Sequence, residues 1–204
     1  MTFNIIADIA GRYDELMKLI DLMPKADRII LVGDLVDRGP KSRQVVEWAM
    51  NTPNVITLLG NHEDMMVESY HGGEIDHVRN GGLATMKSFD VQSPSDYSRD
   101  VIGWMESLPL SFTHVDQDYP ETLFISHAPW PHIDLGETWG MKHNCIWNRY
   151  PPKKVDGTFQ VFGHNHIMQK YDDYAICIDD CGKKVLTGLS YPGKKIYQVP
   201  YYDD

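Results

Sequence analysis

Residues 28–39 read Arg-Ile-Ile-Leu-Val-Gly-Asp-Leu-Val-Asp-Arg-Gly. The apolar run from Ile29 to Val32 does not alternate with polar residues and breaks at a glycine, so it predicts a buried strand that ends in a tight turn. That turn carries Asp34, Asp37 and Arg38. The same grammar recurs on either side of it. Phe3 to Ala7 runs into Asp8, Val55 to Leu59 into Gly60-Asn61-His62-Glu63, Thr122 to Ser126 into His127, and Phe159 to Phe162 into Gly163-His164-Asn165-His166. Between the early strands, Tyr13, Leu16, Met17, Ile20 and Met23 keep helical spacing, as do Val45, Trp48 and Ala49. Strand, turn, helix, strand is the rhythm of a mostly parallel sheet. Ser95 to Leu108 predicts a further helix, bounded by Pro94 and Pro109. After Phe162 the pattern shortens to Ala175–Ile178, Val185–Leu189 and Lys195–Val199, which predicts a C-terminal β-meander and a second sheet.

The 204 residues hold 29 Asp and Glu against 19 Lys and Arg, a net charge of -10. Such a field repels polyanions, which argues against a long nucleic-acid surface or capture by an anionic membrane. No apolar run approaches the length needed to span a bilayer. Asp8 interrupts the opening apolar stretch where a secretory signal stays apolar, so the expectation is a cytoplasmic protein. Cys145, Cys177 and Cys181 make neither an even framework nor a C-x-x-C pair and read as ordinary thiols. A single domain over residues 1–204 is expected.

Turns at the carboxyl ends of strands in an α/β sheet gather in one crevice. Taken singly, Asp8 or Asp34 reads as a turn or capping carboxylate, and His127 as a hydrogen-bonded core histidine. Five strand ends that each present Asp, Asn or His are harder to reach through capping needs alone. Glu63 stands where a helix dipole favours a carboxylate, so support of the site and helix capping remain equal readings. Asn80-Gly81-Gly82 reads as a turn before it reads as a substrate contact.

The motif order resembles the calcineurin-like metallophosphoesterase superfamily. Gly33 to Gly39 and Gly60 to Glu63 resemble its phosphoprotein phosphatase branch. Asn80-Gly81-Gly82, His127-Ala128 and Ile146-Trp147-Asn148-Arg149 resemble the small bacterial and bacteriophage Ser/Thr phosphatases of the lambda type. The resemblance implies an α/β four-layer sandwich of two mixed β-sheets flanked by helices. It also implies two divalent ions, Mn²⁺ foremost with Fe or Zn²⁺ open, and in-line attack on phosphorus by a hydroxide the ions share. Asp34 would bridge the ions. Asp8 would ligate the first, while Asn61, His127 and His164 would complete the second. His62 would act as general acid, oriented by Asp37, and Arg38, Arg149 and Asn61 would bind the phosphoryl oxygens. Tyr70–Ser95 and Pro129–Lys142 are the stretches in which substrate choice would reside.

One position departs from that pattern. Asp8-Ile9-Ala10-Gly11 has alanine where the family has a metal-ligating histidine. In Gly163-His164-Asn165-His166 the second histidine stands where the wider superfamily ligates the first metal, so His166 is the candidate replacement. The leading expectation is a two-metal phosphomonoesterase of the Ser/Thr protein phosphatase kind, acting on phosphorylated protein or a small phosphoester. The alternatives are a nucleotide hydrolase or 2′,3′-cyclic phosphodiesterase of the same superfamily, and a metal-impaired pseudophosphatase that binds phosphorylated partners.

Overall fold

The computed structural model describes residues 1–73, 76–117, 119–130 and 136–202. Ten strands form two five-stranded mixed sheets. In the first, β1 (Phe3–Ile6) lies at the centre, parallel to β2 (Arg28–Leu31), which is parallel to β3 (Val55–Thr57). Its other edge is the hairpin of β9 (Val185–Tyr191) and β10 (Lys195–Pro200), with β9 antiparallel to β1. The second sheet runs β4 (Ser111–His114), β5 (Thr122–Ser126), β6 (Thr158–Phe162), β8 (Ala175–Cys177) and β7 (Gln169–Tyr171). Its three central strands are mutually parallel.

The period of two along the strands explains how the layers stack. Phe3, Ile5, Ala7, Ile30 and Val32 face Leu123, Ile125, Phe159 and Val161 in a core between the sheets. Ile6, Ile29 and Leu31 point the other way, against Leu16 and Leu19 of α1 (Tyr13–Leu22) and Val45 and Val46 of α2 (Ser42–Asn51). Both faces of β2 are therefore dry, which is why its sequence does not alternate. The architecture is the expected α/β arrangement of two mixed sheets flanked by helices.

Two local expectations fail. The three C-terminal strands do not form one meander: β8 joins the second sheet beside β6, and only β9 and β10 pair as a hairpin, on the first sheet. Strand sequence encodes a buried pleat but carries no label for the sheet that receives it. The helix expected over Ser95–Leu108 is also shorter. Pro94–Asp96 forms a 3₁₀ turn, Tyr97 is extended and buried, and α5 spans Arg99–Glu106 with the Ser98 hydroxyl accepting from the Asp100 amide. The Asp96 carboxylate accepts from the Ser93 amide and Ser98 offers a second N-cap, so two competing starts divide the segment. The edge strands β4 and β7, both largely polar, carry no pattern that announced them.

Candidate active site

Each strand that ends at the crevice delivers one polar turn. Asp8 follows β1, Asp34 follows β2, Asn61 opens α3 (Asn61–Tyr70) after β3, His127 follows β5 and His164 follows β6. All five are buried. The turns are tight enough to demand special backbone. Asp8, Ala10, Asp34, Asp37, Arg38, His164 and His166 all adopt positive φ. Such left-handed conformations cost about 1–3 kcal/mol each and persist where surrounding structure holds them. Gly33, at φ +87°, leaves no room for a Cβ, which would lie 2.6 Å from the Gly60 Cα. A Cβ at Gly163 would collide with Asp8 Oδ2.

Asp34, His127 and His164 offer ligand atoms that lie within 4.8 Å of one another. His127 Nδ1 donates to the Val32 carbonyl at 2.8 Å, which leaves Nε2 with a lone pair aimed inward. That lone pair faces Asn61 Oδ1 at 3.0 Å and Asp34 Oδ1 at 3.3 Å. Three acceptors that converge in a buried space repel one another unless a cation sits between them. His164 Nε2 is also buried without a hydrogen-bond partner. Burial chiefly pushes the His164 imidazole down to about 2, so it is a neutral donor at physiological pH. This is the chemistry a divalent transition ion requires of imidazole and carboxylate ligands, and the donor set fits one. Burial alone would raise Asp34, but the imidazoles of His127 and His62 and the His62 amide favour its carboxylate and bring it down to about 2.

Beside this cluster, His62 Nδ1 donates to Asp37 Oδ2 at 2.5 Å, and Arg38 Nη2 donates to His62 Nε2 at 3.0 Å. Burial would depress the His62 imidazolium, but the Asp34 charge and the Asp37 hydrogen bond prevail and raise its pKa above the usual histidine value. Asp37 is fully buried, and its other oxygen accepts from His77 Nε2 at 2.9 Å and Thr85 Oγ1 at 2.6 Å. Against burial, the hydrogen bonds from His62 and His77 keep Asp37 below the ordinary carboxylate range. His77 and Thr85 had no motif to mark them. The sequence signal was only a histidine and a threonine flanking Asn80-Gly81-Gly82.

That Asn-Gly-Gly segment ends a π-helical stretch, Val78–Gly82, kinked at Gly81 (φ +114°), and is not the turn expected. Asn80 Nδ2 donates to the Asp76 carbonyl at the surface, while the Gly81 carbonyl accepts from the Arg38 amide. Glu63 supports the site: Oε2 accepts from the Asp34 and Gly60 amides, and Oε1 from Leu35 and Val36. Four backbone donors on one fully buried carboxylate lock the Asp34 turn to the start of α3. Burial and the Asp34 charge push its carboxyl up to about 7 against the pull of those amides.

Arg149 is exposed and donates to the His164 carbonyl at 2.8 Å, with the Trp147 ring edge-on to the His164 imidazole. It lines an open cleft of about 390 Å³ with Asn165, Ile167, Gln169 and Tyr171. Asp8 accepts both its bonds from the His164 amide, at 3.1 and 3.2 Å. Burial, then the charges of Asp179 and Asp34, push the Asp8 carboxyl well above its usual value. Asp179 was not among the expected site residues, because β8 was read as part of a C-terminal meander and no motif marks its end. His166, the candidate replacement for a histidine at position 10, groups with Asp179 and Cys181, and not with Asp34, His127 and His164. Within Tyr70–Ser95 and Pro129–Lys142, residues 74, 75 and 131–135 lie outside the described residues.

The sequence profile of the calcineurin-like phosphoesterase family matches residues 1–168. The chain belongs to that family. A symmetrical bis(5′-nucleosyl)-tetraphosphatase from Nitrosococcus oceani is 34% identical over 116 residues, which are 55% of this chain and 39% of that protein. The chain spans less than half the length of the curated relatives it matches. Among solved structures, a candidate diadenosine tetraphosphatase superposes with a TM-score of 0.67 at 20% identity, covering 100% of this chain and 95% of that one. A cold-active protein tyrosine phosphatase from a Shewanella species gives a TM-score of 0.62 at 15% identity, over 97% and 80% of the two chains. These structural likenesses concern the fold. No helix among the described residues is long and apolar enough to cross a membrane.

Proposed function

We propose that this family member is a metal-dependent phosphoric ester hydrolase whose substrate is a small nucleotide polyphosphate of the dinucleoside tetraphosphate kind. The observation that carries the reaction class is the convergence of Asp34, His127 and His164 beside the His62–Asp37 pair at the carboxyl ends of the parallel strands. Among the curated relatives, the shared name is symmetrical bis(5′-nucleosyl)-tetraphosphatase, which favours the nucleotide alternative over the Ser/Thr phosphatase expectation.

Asp34, Asn61, His127 and His164 would hold one divalent ion, with Asp34 and Asp8 turned toward a second. When bound, such a pair supplies Lewis-acid polarisation of the phosphoryl oxygens and acidifies the attacking water. The remaining work falls to the chain itself. Arg38 and Arg149 present planar forks suited to phosphoryl oxygens. If Arg38 turns from His62 to the substrate, His62 Nε2 is released to hold a proton for the departing oxygen, while Asp37 fixes the ring through Nδ1. The cleft lined by Asn165, Gln169 and Tyr171 lies beside Arg149 and provides amide groups and an aromatic ring for a nucleoside end.

The test is product analysis on diadenosine tetraphosphate, a phosphoserine peptide and 2′,3′-cyclic AMP with metal-reconstituted protein. The proposal expects the tetraphosphate to have the highest kcat/KM and to yield two identical diphosphates. Preferential turnover of the phosphopeptide would restore the protein phosphatase reading. Binding without turnover of any of the three would leave the pseudophosphatase.

A further inference from the structure

The turn after β1 offers the crevice one ligand, Asp8, where Ala10 contributes only a methyl group. The opposite wall is richer than the sequence suggested. Among the described residues, His166, Asp179 and Cys181 form a second group whose ligand atoms all lie within 4.8 Å of one another. One imidazole nitrogen, one carboxylate oxygen and one sulfur at that spacing are the donors of a tetrahedral site with a fourth position left open.

The three are held by two cross-braced loops. Asp179 follows β8 as His164 follows β6, and these strands are parallel neighbours, so their carboxyl ends meet. Asp179 Oδ2 accepts from the His166 amide at 2.5 Å, and Oδ1 accepts from the Cys181 amide at 3.0 Å. The His166 carbonyl in turn accepts from the Gly182 amide at 2.9 Å. Each Asp179 oxygen thus accepts one backbone bond, and the carboxylate also accepts from the Cys181 thiol. That thiol proton is the one a bound cation would displace, leaving the sulfur and a carboxylate lone pair as ligands. Negative charge also gathers here: Asp179 and Asp34 both act on Asp8, against Arg38, while Arg149 and Arg38 reach His166. A dication at this position offsets that excess.

We propose that His166, Asp179 and Cys181 form the protein-specific part of the first metal seat, beside Asp8, and that a thiolate ligand there selects Zn²⁺ or Co²⁺ over Mn²⁺. Binding converts the Cys181 thiol to thiolate and releases its proton to solvent. Soft sulfur with borderline imidazole suits zinc-like ions, whereas Mn²⁺ prefers carboxylate and water. This rests on the metallohydrolase reading above, but its readout does not depend on turnover.

The experiment titrates chelator-stripped full-length protein with Co²⁺ under anaerobic conditions and follows near-ultraviolet absorbance. The expected result is a sulfur-to-cobalt charge-transfer band that saturates with one of the two bound equivalents. Cys181→Ser should abolish the band and weaken that equivalent on the order of 100-fold, while Cys145→Ala and Cys177→Ala keep it. Two equivalents bound without a band, or a band that survives Cys181→Ser, would overturn the site. Should Cys181→Ser not fold, wild-type protein serves instead. Cys181 is half-buried while Cys145 and Cys177 are buried, so alkylation by iodoacetamide reports chiefly on Cys181. Zn²⁺ should slow alkylation of Cys181 by at least about tenfold, and equal rates with and without Zn²⁺ would again overturn it. A band without hydrolysis would keep this site and discard the enzymatic reading. Hydrolysis with two bound ions and no band would do the reverse.

Discussion

On the His127 side of the crevice the Val32 carbonyl orients the His127 ring and the Asp34 carboxylate accepts from the His62 amide, and Asp34, Asn61, His127 and His164 converge. On the Asp8 side the motif is broken at Ala10, and the polar groups that gather there come from β8 and the loop after β6. The first half can be recognised from short contiguous motifs. The second is a property of two strands that meet in space. If both groups hold metal as proposed, the contrast teaches that one half of a binuclear site can keep its chemistry while the other draws its donors from a different part of the fold.

The change that should erase the distinction is Asp34→Asn, because Asp34 would serve both ions on the proposed reading. It is expected to remove both bound ions, measured by metal analysis after gel filtration, and to lower kcat by about three orders of magnitude or more. Retention of two ions would show that the halves are independent. Next in size is the general acid. His62→Ala should cost on the order of 10² to 10⁴ on alkyl phosphates, whose leaving oxygens are strongly basic, and much less on a nucleotide polyphosphate or para-nitrophenyl phosphate. Equal losses on all three would leave His62 a positioning group.

A paired experiment tests the halves against each other. His164→Ala should empty the His127 side and His166→Ala the Asp8 side, each lowering bound metal from two equivalents toward one. Ala10→His placed in the His166→Ala background should restore part of the lost equivalent. If His166→Ala keeps two ions and full activity, the compensation for Ala10 is wrong.

The smallest effect is expected from His77, which touches Asp37 and not the crevice. A hydrogen bond to a charged group is worth about 1.5–3 kcal/mol, so His77→Phe should lower kcat on an alkyl phosphate by about tenfold or somewhat more. The loss should shrink on para-nitrophenyl phosphate, and His77→Gln, which can still donate, should recover most of it. A loss indifferent to the leaving group would make His77 a structural residue only.

Legibility followed locality. Strands β1, β2, β3, β5 and β6, helices α1 and α2, and the strand-end residues from Asp8 to His164 were visible because each motif is a handful of consecutive residues at the end of an unbroken apolar run. His77 and Thr85 were not, since their role is to satisfy an Asp37 oxygen from 40 and 48 residues away. Glu63 lay between two readings and serves both: it accepts from the Gly60 amide at the start of α3 and from the Asp34, Leu35 and Val36 amides of the strand-end turn.

Sequence alone determined the α/β class and the set of strand-end residues, because burial period and turn chemistry are written in neighbouring positions. Tertiary structure alone decided that β8 lies parallel to β6, and so that Asp179 and Cys181 stand beside His166. A strand's sequence specifies which faces are dry but not which edge it pairs with, and that choice is settled only when the two sheets close over a common core.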